Sequence, residues 1–276
     1  MQKIILCLFL AVTSLALHAQ NVVRDPNAQV RNVSAFTKID ISGAINLYLS
    51  QGNTQGVAVS SDDANAINKI KTEVRNGVLK VFVENGAWNG WNWGNKHLKA
   101  YITFTSLEAL DVSGACNVEI TDPVSLGDFK LELSGASNLN GTIKANNVHF
   151  ELSGASNTKT NFTAASFVLS QTGASNFKGS VHSGKTSFNM GGASVTDVSG
   201  SATDLVIDAS GACNFKGSDL TADNCKVEAT GASSASINVN KELQATASGG
   251  SSIRYSGAAN VTNLDVSGGS TVKKKS

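Results

Sequence analysis

Carboxylates that recur at one position of a repeated sequence are the residues in this chain whose type and spacing most directly suggest chemistry. Seven repeat copies carry them three residues before a glycine: Asp40, Asp111, Glu132, Glu151, Asp208, Glu228 and Asp265. Carboxylates stacked in one file would repel each other, so a bound cation would stabilise them. The candidate ligands for a calcium-type ion are Glu132, Glu151, Asp208 and Glu228. Simple ion pairing is the alternative, because lysines stand two residues earlier in three copies, at Lys38, Lys130 and Lys226.

The remaining polar residues do not indicate catalysis. A hydrolase or lyase would need a paired acid and base, or carboxylates beside a basic residue in one cleft. Beyond the first 20 residues the histidines are His97, His149 and His182, each isolated in sequence, and the carboxylates follow the repeat instead of clustering once. We therefore predict no catalytic residues and no cofactor. A polysaccharide-active enzyme stays an alternative, by fold analogy alone.

All three tryptophans of the chain fall within six residues, in the segment from Ala87 to Gly94. The glycines and asparagines around them predict a loop. Exposed aromatic clusters mark interaction sites, and indole faces stack on sugar rings while asparagine amides bond hydroxyl groups. The predicted ligand-binding residues are Trp88, Asn89, Trp91, Asn92 and Trp93. The alternative is that the indoles fold back and cover part of the core.

A repeat of about 19 residues positions these side chains. Its clearest copy is Ser134–Asn138, and from Gly114 onward the repeat glycines follow at steps of 21, 19, 19, 19, 19, 20, 18 and 19 residues. Such a period predicts stacked structural units. Before each glycine alternate residues are apolar, as in Phe129, Leu131 and Leu133, which predicts a strand with one buried face. Apolar residues resume four positions after the glycine, so a second strand is expected beyond the corner.

One such unit cannot bury its apolar side alone, whereas stacking consecutive units does. We predict an all-β fold, a right-handed parallel β-helix or solenoid with turns about 4.8 Å apart. A sandwich of hairpins is the alternative, and the near-constant spacing of equivalent residues favours the solenoid. The asparagine three residues after each glycine would then form a structural ladder of amides along the axis. Its predicted members are Asn117, Asn138, Asn157, Asn176 and Asn214.

Residues 1–19 have the organisation of a secretory signal peptide, with Lys3 before an apolar run and the small-residue site Leu17-His18-Ala19. We expect export, to the periplasm, the outer-membrane surface or the medium. No later stretch predicts a transmembrane helix. A net charge of +1 without a basic patch argues against nucleic acid as a partner.

The remaining chain divides by composition into three regions. Residues 20–32 are polar and predict a flexible leader. Residues 33–105 carry the first repeat, a hairpin signal at Asn76-Gly77 and the tryptophan loop, which together predict an N-terminal β-sheet cap. Residues 106–276 hold the solenoid repeats.

The cysteines beyond the signal are Cys116, Cys213 and Cys225. Their odd number is a poor disulfide framework. They are interpreted as buried small apolar residues, with a Cys213–Cys225 bond as the alternative.

The order of these segments resembles a known family. The stretches Phe36–Leu47 and Asn76–Val81, followed by Leu-x-Leu-Ser-Gly-Ala-Ser-Asn repeats, are similar to the "putative auto-transporter adhesin" head domain, called the GIN domain. That domain occurs in many secreted proteins of Bacteroidetes-type bacteria. The resemblance spans about residues 30 to 275. It implies a β-helical fold, a cell-surface or periplasmic setting and an adhesin role, and it supplies no catalytic residues.

Three functions follow from these observations. The first is a non-catalytic secreted or cell-surface adhesin that contacts a glycan or a surface protein through the tryptophan loop or a face of the solenoid. The second is a polysaccharide-active β-helix enzyme. The third is a structural envelope component that assembles with copies of itself, and the sequence sets no oligomeric state.

Overall fold

The computed structural model describes residues 25–84 and 97–275. Within these residues the chain forms 21 strands and one short helix, α1 (Ala64–Ile67). The strands of the N-terminal part are β1 (Gln29–Val30), β2 (Lys38–Gly43), β3 (Ile45–Gln51), β4 (Gly56–Ser61), β5 (Ile70–Arg75), β6 (Val78–Val83), β7 (Leu98–Phe104), β8 (Ala109–Gly114), β9 (Asn117–Ile120) and β10 (Val124–Ser125). The remaining strands are β11 (Phe129–Leu133), β12 (Asn138–Lys144), β13 (Asn147–Leu152), β14 (Asn157–Gln171), β15 (Asn176–Met190), β16 (Val195–Ala209), β17 (Asn214–Ala229), β18 (Ser234–Ala247), β19 (Ser252–Ser256), β20 (Asn260–Val266) and β21 (Thr271–Lys274).

The strands lie in two stacks, which meet at the repeat glycines. The leading stack contains the strands before each glycine, in the order β5-β6-β2-β8-β11-β13, then the second halves of β14 to β18, then β20. The trailing stack contains the strands after each glycine, in the order β1-β4-β7-β3-β9-β12, then the first halves of β14 to β18, then β19 and β21. From β6 and β7 onward every pairing is parallel, so each turn repeats the last one.

This arrangement confirms the predicted all-β solenoid, with about nine turns at a spacing near 19 residues. The backbone hydrogen bonds run from turn to turn, as between the Ala155 amide and the Gly135 carbonyl at 2.8 Å. Long-range pairing between equivalent residues is what the constant period requires, because matching positions then share one face.

The corners need glycine for two physical reasons. Gly154 has a φ of +70°, a conformation that L residues with a side chain rarely adopt. A Cβ atom at this position would also lie 2.4 Å from the carbonyl oxygen of Gly135 in the preceding turn. The repeat glycine is therefore fixed by the close approach of neighbouring corners.

The inward side chains of both stacks form one buried apolar cluster that extends from Phe36 to Ile253. Its centre holds the rings of Phe150, Phe162, Phe167, Phe177 and Phe188, whose contacting centroids lie between 4.9 and 6.5 Å apart. Alternation produces this core directly: in β11 the buried residues are Phe129, Leu131 and Leu133. All three described cysteines are free and buried within the same interior.

The chain does not build its turns in sequence order at the N-terminal end. Ile39 of β2 pairs with Leu79 of β6 on one side and with Leu110 of β8 on the other. The turn β2–β3 therefore lies between the turn β8–β9 and a capping turn formed by β6 and β7. Strands β1, β4 and β5 pair antiparallel with this end of the solenoid. We call this region the capped end.

Residues 25–32 differ from the flexible leader expected for residues 20–32. Strand β1 pairs with β4, and the Arg31 amide donates to the Val57 carbonyl at 2.8 Å. These residues are held because β4 offers an edge with unpaired backbone groups, and an extended segment can satisfy them. Composition alone did not show this, because the partner strand lies in a different part of the chain.

Candidate functional site

Asparagine side chains form a ladder on the outside of the trailing stack. Asn117 donates to Asn46 at 2.9 Å, and Asn138 donates to Asn117 at 2.8 Å. The ladder continues through Asn157, which donates to Asn138 at 3.4 Å, and Asn176, which donates to Asn157 at 2.8 Å. The structure therefore brings four of the five predicted members together.

The fifth predicted member, Asn214, lies outside this unbroken series. Val195 occupies the same register position between Asn176 and Asn214. Valine cannot donate or accept, so the amide chain stops there. Asn214 instead accepts a hydrogen bond from the Ser234 hydroxyl at 3.0 Å.

The predicted acidic file also lies in register, and lysines accompany it. Glu132 pairs with Glu151, and the Lys130 ammonium contacts Glu132 and lies 3.8 Å from Glu151. Asp208 pairs in register with Glu228. Across residues 25–84 and 97–275, no group of three or more His, Cys, Asp and Glu side chains is arranged to hold a metal ion.

Asp111 is the member of this file with a perturbed pKa. Burial raises the pKa of Asp111, and the neighbouring carboxylates of Asp40 and Glu132 raise it further. Asp40 itself has a lysine partner, Lys80, at 3.0 Å. Lys130 and Lys80 act in the opposite direction on the pKa of Asp111 but do not outweigh burial and the neighbouring carboxylates.

The predicted ligand-binding residues Trp88, Asn89, Trp91, Asn92 and Trp93 lie outside the described residues. The described residues on either side locate the ends of their segment. In the capping turn Leu98 pairs with Ile45, the residue after the first glycine corner. Val83, at the other end, lies against Gly43, since a Cβ there would be 3.2 Å from its Cγ2 atom. Both flanking residues therefore lie beside the turn β2–β3.

A cleft of about 780 Å³ lies at the capped end, on the outer side of the trailing stack. Its floor carries Tyr101 and Tyr48, which are in-register neighbours on β7 and β3. Their rings stack at a centroid distance of 5.1 Å and an interplanar angle of 16°. Residues 25–27 line one side of the cleft, and Thr121 and Asp122 also line it.

Asp25 fixes the position of the tyrosine pair. The Tyr101 hydroxyl donates to the Asp25 carboxylate at 2.8 Å, and the Lys99 ammonium lies 3.3 Å from the same oxygen. Burial acts to raise the pKa of Asp25, but hydrogen bonds from Tyr101, Ser60, the Asn27 backbone and Lys99 outweigh it and lower the pKa to about 2. Burial and the Asp25 carboxylate raise the pKa of Tyr101. The phenol therefore stays a donor, and the carboxylate stays an acceptor, throughout the neutral range.

A shallower groove of about 670 Å³ follows the cleft along the outside of the trailing stack. In the register of the strands, the file that begins with Tyr101 and Tyr48 continues as Glu119, Asn140, Lys159, Lys178 and Asp197. These polar side chains bond one another: Asn140 donates to Glu119 at 3.2 Å, and Lys178 donates to Asp197 at 3.2 Å.

Sequence reasoning did not single out Tyr48, Tyr101 or Asp25. Two of the three tyrosines of the chain lie 53 residues apart in sequence (101 minus 48), so no local motif joins them. A signal did exist: Tyr48 falls at an outward position of a strand whose neighbours Leu47 and Leu49 are buried. An aromatic residue at an outward position of a repeat, where polar residues are expected, could have marked the site.

The fold and these surfaces define a stacked β-solenoid protein, and comparison with known families assigns it to a family. The chain belongs to the family described as "Putative auto-transporter adhesin, head GIN domain", whose model matches residues 35–259. Among the described residues no helix combines the length and apolar character needed to cross a membrane. No curated protein matches the chain.

Solved structures share the fold at low sequence identity. A "putative adhesin" from Parabacteroides merdae matches with a TM-score of 0.62 and 19% identity, over 91% of this chain and 96% of the other. A "putative adhesin" from Parabacteroides distasonis matches with a TM-score of 0.65 and 19% identity, over 90% and 96%. A "putative lipid binding protein" from the same species matches with a TM-score of 0.58 and 17% identity, over 91% and 98%. At these identities the likeness concerns the fold.

Proposed function

We propose that this protein is a non-catalytic secreted or cell-surface adhesin that holds a glycan or a surface protein at its capped end. The observation that carries the proposal is the cleft over the stacked Tyr48–Tyr101 pair. Binding sites combine apolar or aromatic area with a few oriented polar groups, and this cleft has both. The family, with its adhesin description, supports the same reading.

The solenoid supplies rigidity to this site. Each turn is bonded to the next by in-register backbone hydrogen bonds, and the floor of the cleft consists of strands. The Tyr101 hydroxyl is already bonded to Asp25 before any ligand arrives. A preorganised site loses less conformational entropy on binding, so more of its contact energy appears as affinity.

The described residues on either side of the tryptophan segment lie at the same end of the molecule. Val83 and Leu98 flank the segment, and both belong to the capping turn whose β7 also carries Tyr101. Trp88, Trp91 and Trp93 with Asn89 and Asn92 retain their predicted role as ligand-binding residues. Export by the predicted signal peptide would present this end in the periplasm, at the outer-membrane surface or outside the cell.

The function is tested by presenting the full mature chain to immobilised glycans and to fixed bacterial and epithelial cells. We expect saturable binding that weakens when Trp91 and Trp93 are both changed to alanine. The control variant is Lys216→Ala, which removes an exposed side chain far from the capped end. Equal binding by both variants would remove the tryptophan segment from the site, and no binding to any surface would refute the adhesin function.

Two other outcomes favour the alternatives. Release of reducing sugar from a glycan would indicate a polysaccharide-active enzyme. Concentration-dependent association of the chain with itself, without binding to either surface, would indicate a structural component of the envelope.

A further inference from the structure

We propose that the cleft and the groove bind one linear, neutral glycan, which lies along the solenoid axis with a pyranose ring against Tyr48. This inference rests on the proposed adhesin function and gives it a ligand class and a binding residue. The two depressions adjoin through the turn β8–β9, because Thr121 lines the first and Glu119 lines the second. A ligand that fills both must be extended.

Tyr48 is half-buried and lines the cleft, so the part of its ring that Tyr101 leaves uncovered can contact a sugar. Tyr101 stacks on one face of the ring. In the register of the strands the neighbour on the other side is Glu119, whose carboxylate is held by Asn140 at 3.2 Å. A pyranose presents an apolar C–H face surrounded by hydroxyl groups. It therefore matches an aromatic ring face that is bordered by a carboxylate and an amide.

Hydroxyl side chains lie beside the platform on the next outward file. The Ser50 and Thr103 hydroxyls bond each other at 3.0 Å, and Thr121 continues the file on the following turn. Each hydroxyl can donate one hydrogen bond and accept two. A ligand with several hydroxyl groups can exchange bonds with this file, whereas an apolar lipid chain would leave these groups without compensation.

The length of the polar surface indicates a chain of sugars rather than a single ring. Glu119, Asn140 and Lys178 follow Tyr48 on consecutive or near-consecutive turns. Adjacent strands are about 4.8 Å apart, so polar groups recur along the axis at a constant interval. A linear ligand with hydroxyl groups at a regular interval can use such a surface, because a hydroxyl can donate to Glu119 and accept from Lys178.

The charges of the cleft select against acidic sugars. Among the described residues its lining contains Asp25, Asp62, Asp122 and Lys99, and Asp62 lies 2.7 Å from the His97 ring. Lys99 lies 3.3 Å from Asp25 and is already compensated by it. A uronate or sulfate in this cleft would meet more carboxylates than lysines, and in the groove Lys178 is already paired with Asp197 at 3.2 Å, so acidic sugars are disfavoured.

The inference is tested with six-unit oligosaccharides of defined charge. The neutral probes are the hexamers of β-1,4-glucose, β-1,4-N-acetylglucosamine and β-1,4-mannose, and the acidic probe is the hexamer of α-1,4-galacturonate. Isothermal titration of the full mature chain should give saturable binding to a neutral probe and none to the galacturonate. Binding of the neutral hexamer should be tighter than that of its dimer, since the dimer reaches only the cleft.

Three variants assign the binding to the tyrosine. Tyr48→Ala should weaken binding of the neutral hexamer by about tenfold, because the ring face is lost. Tyr48→Phe retains the ring and should stay within about twofold of the wild type. Lys226→Ala removes an exposed side chain of the leading stack, outside this file, and should bind like the wild type. Equal far-ultraviolet circular dichroism and thermal midpoints would show that each variant is folded.

The outcomes separate this inference from the proposed function. Binding to cells that persists unchanged in Tyr48→Ala, or wild-type preference for the galacturonate probe, overturns the inference while the adhesin function stands. Absence of binding to cells and to all glycans overturns both. Loss of hexamer and cell binding in Tyr48→Ala alone supports both.

Discussion

Replacing corner glycine Gly154 by alanine isolates what holds one turn against the next. The new Cβ would lie 2.4 Å from the carbonyl oxygen of Gly135, 3.0 Å from its nitrogen and 3.2 Å from its carbonyl carbon. All three atoms are backbone, so no side chain can rotate away. The φ of +70° adds a conformational cost. The two costs can be separated with matched glycines elsewhere in the chain.

Gly77 has a φ of +74° but open space where a Cβ would point, so Gly77→Ala costs only the conformational term. That term is about 1–2 kcal/mol for a left-handed residue. Gly127 has neither an unusual φ nor a close neighbour, so Gly127→Ala should change stability by less than about 0.5 kcal/mol. Gly154→Ala adds an overpacking cost of about 1–3 kcal/mol, for a total loss of about 2–5 kcal/mol.

The assay is equilibrium unfolding in urea, followed by far-ultraviolet circular dichroism, for the wild type and the three variants. Hydrogen exchange at the Ala155 amide, which bonds the Gly135 carbonyl at 2.8 Å, provides a local readout that does not require a two-state transition. The expected order of stability is Gly127→Ala, then Gly77→Ala, then Gly154→Ala. A Gly154→Ala variant as stable as Gly77→Ala, with unchanged exchange at Ala155, would refute the contact between corners as the reason for the glycine.

Three further predictions concern charges and the amide ladder. Lowering the pKa of Asp25 from 3.8 to about 2 stabilises the folded state by about 2 kcal/mol above pH 4. Asp25→Asn should lose this stabilisation at pH 7. The difference in urea midpoint between the variant and the wild type should vanish as the pH falls towards 2. The pKa of Asp111 is raised instead, so folding is favoured while Asp111 is protonated, and this advantage is lost as the pH rises through its folded pKa. Asp111→Asn should therefore be at least as stable as the wild type at pH 7. A lower urea midpoint for the variant would contradict the raised pKa of Asp111. Asn157→Val removes two ladder bonds but mimics Val195, so its free energy of unfolding should fall by no more than about 1.5 kcal/mol; a larger loss in chemical unfolding would give the ladder a greater structural role.

The solenoid was predictable because equivalent residues recur at nearly the same spacing in every turn. Buried residues such as Leu131 and Leu133 alternate on one side of each glycine, and this local pattern alone fixes a half-buried strand. Helix α1 was not predicted. The apolar residues Ile67, Ile70 and Val74 are spaced by three and four residues, so they show no strand alternation that would separate α1 from β5. Asp63 caps α1 by accepting from the amides of Asn65 and Ala66, and β5 begins only at Ile70.

The candidate site was less predictable because it depends on which turns become neighbours. The tyrosine pair forms only because β7 returns to lie on β3, a pairing across about 50 residues that repeat spacing does not encode. Asp25 and Tyr101 are likewise far apart in sequence and meet only in the folded chain. The asparagine series was visible in sequence, since its members keep one position in consecutive copies. Its interruption at Val195 was equally visible, as a missing asparagine.

The position of β2 and β3 between later turns has a consequence for how the molecule is made. Residues 38–51 contact strands that are synthesised after them on both sides. A chain that emerges N-terminus first cannot complete the pairing of β2 and β3 until Ile120 of β9 has appeared, so connectivity disfavours early growth from that tip. Assembly would instead begin among the regular layers further along, where each strand adds to one already present, and the tip would close last.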